Sequence, residues 1–244
     1  MAESIHINLT EDIEDDLKNT YQSLCEDLKS DLKKMASELE ELCEKTKYEP
    51  MVKVVNQTIS LFNEDIKGVA DQAFDEWVDG EGSFSAAAEK MQAGESAAET
   101  AKQIEQDIKD LYDGFWSPSP LGEELQTDTS RPEIRNDDYD TLKDIYTEHS
   151  NSVKGLSEDT ISNIKSKGSD DPTYNVIIPA VKAITEPVKN AFEQFQSKVD
   201  AAKDESEELV QQQSQNNDEA SEAATNTSAS AADIAESLKM FDDI

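Results

Sequence analysis

Apolar residues recur at alternating steps of three and four along most of this chain. The first set falls at Ile13, Leu17, Tyr21, Leu24, Leu28, Leu32, Met35, Leu39 and Leu42. That spacing predicts one amphipathic helix of roughly nine turns with a narrow stripe. Thr10 reads as its N-cap, with Glu11, Asp12 and Glu14 complementing the helix dipole. The helix should end near Pro50, which biases Glu49 away from helical dihedrals. A second stripe runs Val52, Val55, Ile59, Phe62, Ile66, Val69, Ala73 and Trp77, and a third Phe84, Ala87, Met91, Ala98, Ala101, Ile104, Ile108, Leu111 and Phe115. Each predicts a helix that needs a neighbour to cover its stripe.

Residues 117–136 carry three prolines and little periodicity, so they read as a connector. A fourth helix is marked by Leu142, Ile145, His149, Val153, Leu156, Thr160 and Ile164, and Gly168 reads as its stop. A fifth carries Val181, Ile184, Val188, Phe195 and Val199, with Pro187 inside the pattern predicting a kink or a restart. Beyond about residue 203 the apolar content thins. A poorly ordered stretch near 211–230 is expected there, then a short terminal helix carrying Ala232, Ala235, Leu238 and Phe241. The expected fold is all-α, an elongated antiparallel bundle of four or five long helices. Its expected divisions are an N-terminal three-helix hairpin region at 9–116, the connector, and a C-terminal helical region at 137–244.

Residues 74–84, FDEWVDGEGSF, lie between the second and third stripes. If those helices are antiparallel neighbours, Gly80 or Gly82 can take the left-handed dihedrals that end a helix and Ser83 can cap the next. Trp77 and Phe84 then meet across the turn. Phe115 and Trp116, next to SPSP, read either as an exposed docking patch or as rings covered by Tyr48 or Tyr139.

Composition narrows the function. Hydrophobic residues are 36% and aromatics 6% of the 244, against 32% charged, which points to narrow seams rather than a thick core. The formal net charge of −33 opposes binding to nucleic-acid phosphate or anionic lipid. No apolar run approaches membrane-spanning length. The N-terminus lacks the basic and apolar regions of a cleavable signal peptide, so synthesis in the cytoplasm is expected, and any export must be signal-peptide-independent. Cys25 and Cys43 would lie about 27 Å apart on one continuous helix, beyond disulfide reach, and read as small hydrophobes beside the seam.

The opening IHINLTEDIEDDLKNTYQSL, the absence of a signal peptide and the Trp–Gly turn between helices resemble the helical-hairpin substrates of bacterial type VII secretion, the Trp-Xaa-Gly family and related Leu-Xaa-Gly effector modules. The resemblance covers roughly residues 5–116. It implies that Trp77 and Gly80 occupy the hairpin turn, and it implies export or pairing with another helical protein. The spacing here is Trp-Xaa-Xaa-Gly, and the turn follows the second helix. The family's C-terminal signature, an aromatic followed at the fourth position by an acid, is absent: Tyr139 is followed at that distance by Lys143 and Tyr174 by Ile178.

Little in the chain reads as catalytic. Of the two histidines, His6 and His149, the second lies on an apolar stripe, where a satisfied buried histidine is the expected state. No cysteine–histidine set has zinc spacing, and the acidic clusters EDIEDD and DDYD lack the spacing of a calcium loop. There is no phosphate loop and no nucleophile elbow. The expectation is a non-enzymatic helical interaction protein of the type VII substrate or effector-targeting kind, without cofactor or metal. Its expected partner is a helical protein or a second copy, with the secretion machinery a further candidate. The alternatives are a cytosolic coiled-coil scaffold and, further off, a helical pore-forming toxin subunit.

Overall fold

A computed structural model describes residues 7–131 and 136–242, and the expectation for His6 lies outside them. Helix α1 (Glu11–Thr46) starts immediately after Thr10, whose carbonyl accepts from the Ile13 and Glu14 amides at 3.0 Å. Eight of its nine stripe residues, from Leu17 to Leu42, are buried. Lys47 closes it in the left-handed conformation, φ 48°, with its amide on the Cys43 carbonyl. Pro50 then sits in the first turn of α2 (Glu49–Leu61), where a missing N–H costs nothing. Cys25 and Cys43 are both free and buried, and burial pushes each thiol up to about 12, far from a reactive thiolate.

Between α2 and α3 (Lys67–Val78) the helix does not break but widens into one π turn, Phe62–Ile66. The consequence is a change of face. A regular helix would bring Val69 and Ala73 inward, as the spacing predicts. Instead Ala70 and Phe74 are buried, while Val69 is 55% exposed. The wider turn holds more residues per revolution, so the stripe lags by one position.

The third stripe corresponds to two helices, α4 (Phe84–Lys90) and α5 (Glu95–Trp116), rather than one. Gln92 at φ 51° and Gly94 at φ 83° leave the helical region and break it. The two pieces are tied by Glu105, a buried carboxylate that accepts from the Ser85 amide at 2.8 Å and from the Ser85 hydroxyl.

Helix α6 (Asn136–Lys167) is followed by a 3-10 turn, Pro172–Ile177, and by α7 (Ile178–Asp242). Pro187 lies inside α7 without restarting it. A proline there removes a backbone bond and typically costs about 3 kcal/mol, which packing on both sides can offset. Ala183, Ile184, Val188, Ala191 and Phe192 are all buried. Where a separate terminal helix is expected from the sequence, the backbone continues as one helix to Asp242.

Cross-helix contacts set the directions. Asp31 and Glu38 of α1 meet His149 of α6 while Asp16 meets Lys167, so α1 and α6 are antiparallel. Lys18 reaches Asp107 and Lys29 the Gly114 carbonyl, so α1 and α5 are parallel. Phe62 faces Trp116 and Asp71 faces Tyr112, so the α2–α3 rod opposes α5. Ser157 meets Thr185 and Thr147 meets Gln196, so α6 opposes α7. The rods therefore run up, down, up, down, up in chain order, and no strand occurs among the described residues.

The connector is not a free tether. Asn56 brackets the Leu125 backbone, donating to its carbonyl at 3.0 Å and accepting from its amide at 2.7 Å. Asn63 donates to the Gly122 carbonyl, and the Arg131 amide donates to the Lys47 carbonyl. Residues 119–131 thus lie antiparallel along α2, with Leu121 buried. Both predicted halves contribute to one compact unit, Met1–Val199, because α1 packs on α5 from the first and α6 from the second. The second unit, Asp200–Ile244, is described as helix to Asp242 and exposes Leu209 and Val210.

Candidate functional site

The turn after α3 is built from side chains that avoid water. Trp77 is only 4% exposed, and its indole N–H donates to the Val176 carbonyl at 3.0 Å, tying α3 to the turn that leads into α7. Phe84 meets it edge-on with ring centroids 6.2 Å apart, as expected for rings facing across the turn. Ser83 caps α4 by accepting from the Ala86 amide at 3.1 Å. Trp77 is thus a packed, hydrogen-bonded ring rather than a surface for a partner to grip.

The glycines act differently from the sequence expectation. Neither Gly80 nor Gly82 adopts a positive φ; the positive-φ glycines among the described residues are Gly94 and Gly122. Gly80 is needed for close approach, since a Cβ there would sit 2.4 Å from the Glu76 carbonyl oxygen. A Cβ at Gly82 would meet open space. Gly80→Ala is therefore expected to cost about 1–3 kcal/mol through the displaced backbone, whereas Gly82→Ala should be neutral or slightly stabilising because it restricts the unfolded chain. Chemical denaturation of the two variants side by side checks this.

Phe115 and Trp116 do not form an exposed docking patch: they are 1% and 5% exposed. Trp116 packs against the rings of Phe62, at 5.4 Å, Tyr112, at 6.3 Å, and Phe115, at 4.9 Å. The Trp116 indole N–H is buried without an acceptor.

These rings belong to one spine that sequence spacing does not reveal. From Phe84 it passes through Trp77, Phe74, Tyr112, Trp116, Phe62, Phe192 and Tyr146 to Phe195, each centroid within 6.5 Å of the next. Aromatic residues are few in the composition, but they are pooled in one place. The Tyr112 hydroxyl leaves the spine to meet Asp71 at 2.8 Å, and the Tyr146 hydroxyl meets Thr58 at 2.6 Å, so their polar ends are paired.

Titratable chemistry concentrates instead on the α1–α6 seam. His149 is fully buried, with Nδ1 2.9 Å from Asp31 Oδ2 and Nε2 3.0 Å from Glu38 Oε2. Ser152 donates to the other Asp31 oxygen at 2.8 Å. The histidine stands where its stripe position predicts, and its partners lie seven residues apart on one face of α1. Burial pushes the imidazole down, but hydrogen bonds and charge from Asp31 and Glu38 outweigh it and raise the group above its usual range. Ser152 is committed to the carboxylate, and both ring nitrogens are occupied, so the cluster presents neither a nucleophile nor an open base.

Among the described residues no group of three or more His, Cys, Asp or Glu side chains is arranged to hold a metal ion. Comparison with protein-family models, with curated proteins and with solved structures gives no match for this chain.

Proposed function

We propose that this chain is a non-enzymatic helical interaction protein of the type VII secretion substrate or effector-targeting kind, exported from the cell that makes it. The observation that carries the reading is the turn itself. Trp77 closes the α2–α3 rod, Phe84 opens α4, and the two rings meet across a glycine-bearing turn, which supports the reading although the turn follows the second helix. Because Trp77 is spent internally, recognition falls to helix faces. Val69 on α3, and Leu209 and Val210 in the second unit, are large apolar side chains left in solvent, which suits pairing with another helical protein.

The test is export. The chain should accumulate in culture medium and be retained in cells when the secretion ATPase is deleted, with a helical protein co-purifying from the native cell. Retention in both strains would discard the secretion reading. A cytosolic coiled-coil scaffold is the second reading, favoured by the 65-residue length of α7. No helix among the described residues is long and apolar enough to cross a membrane, so a pore-forming role has no structural support.

A further inference from the structure

We propose that His149 is a pH-released clasp on the α1–α6 seam: as an imidazolium between Asp31 and Glu38 it holds the two helices together, and its deprotonation lets the middle of the seam open. The argument begins with proton counting. Both ring nitrogens lie at hydrogen-bond distance from a carboxylate oxygen, and a carboxylate has no proton to give. Only the doubly protonated ring satisfies both contacts. A neutral ring donates once, and its remaining lone pair then points at a carboxylate lone pair about 3 Å away, inside a site that water does not reach from the histidine side.

The surroundings favour the same state. On α1 the facing groups are Asp31, Glu38 and Lys34, the last bridging Glu38 at 3.4 Å and Glu148 of α6 at 2.9 Å. The cleft alongside is lined by Glu41, Lys45 and Asp144 as well as Glu38 and Glu148, so acids outnumber bases around the ring. From α2 and α7 the contacts to α6 nearest the ring include Thr58 and Phe192 on Tyr146 and Gln196 on Thr147, all uncharged, and Glu186 and Lys189 of α7 line a cleft with Val153, Lys154 and Glu158 of α6 further along. Lys34 with Glu148 is a second cross-helix ion pair at this level of the seam, and Asp16 with Lys167 lies at its far end. Between the two the seam is held by apolar packing.

The direction of the pH effect follows. The group is raised in the folded protein relative to about 6.5 in an unfolded chain. Its contribution is therefore full below about pH 6.5 and disappears as pH rises through the folded value. Each unit by which that value exceeds 6.5 corresponds to about a tenfold change in the seam's opening equilibrium at high pH.

The test uses the full chain labelled with 15N-histidine. There are two histidines to resolve, and His6→Gln assigns them. The His149 ring should be doubly protonated at pH 6 and titrate above 6.5. Hydrogen exchange of α6 around residues 145–153, corrected for the intrinsic base dependence, should accelerate as pH rises from 6 to 9. His149→Gln should abolish that extra acceleration. Glu38 is partly exposed, so Glu38→Gln should fold, and it should move the His149 titration downward. A single neutral tautomer at pH 6, an unmoved titration in Glu38→Gln, or an unchanged exchange profile in His149→Gln would each overturn the proposal. If His149→Gln does not fold, the ring titration in wild type and Glu38→Gln decides it.

Discussion

Trp77→Ala is expected to destabilise the protein by about 3–5 kcal/mol, a fall in melting temperature on the order of 10 °C for a chain of this size. Three losses combine. The ring leaves a cavity between Phe74 and Phe84, the Val176 carbonyl loses its buried donor, and the turn preceding α7 loses its tie to α3. Trp77→Phe separates them, since it keeps an aromatic body and removes the N–H. It should cost about 1–3 kcal/mol, the range for a buried acceptor left unpaired. Thermal unfolding followed by circular dichroism measures both. An unchanged midpoint in Trp77→Ala would mean that the ring is in solvent and the turn is differently built.

A second large effect distinguishes two adjacent faces of one helix. Phe74→Ala should cost about 3–5 kcal/mol because the ring stacks on Tyr112 at 4.3 Å and sits within the aromatic spine. Val69→Ala should stay within about 0.5 kcal/mol, as expected of an exposed site. A helix that continued without the π turn would put more of the cost at Val69. Denaturant midpoints for the two variants, with unchanged slopes, therefore report on the widened turn as well as on the core. Comparable losses at both positions would show that the stripe does not shift at Phe62–Ile66.

The two variants also show why the spine escapes a linear reading. Phe74 and Tyr112 lie off the stripes drawn from three-and-four spacing, one because the π turn displaces the face and the other because Leu111 satisfies the spacing equally well. Tyr146 repeats the case: Ile145 fits the pattern, yet Tyr146 is the fully buried residue. A stripe drawn from spacing is uncertain by one residue, and an aromatic ring is large enough that packing selects it.

The sequence by itself determined the all-α class, the course of α1 with its start after Thr10, the turn joining Trp77 to Phe84, and the Ser83 cap. These depend on contacts between residues close along the chain, where periodicity, capping chemistry and turn length act directly. It also placed His149 on a buried face. Only the tertiary structure decided what that histidine meets, since Asp31 and Glu38 stand more than a hundred positions away and resemble the many other acids of α1. The same holds for the break at Gln92–Gly94, the passage of α7 through Pro187, the strapping of 119–131 along α2 and the burial of Phe115 and Trp116. Each is settled by how much apolar surface a neighbouring rod can cover, a quantity fixed by three-dimensional packing and carried by no single segment.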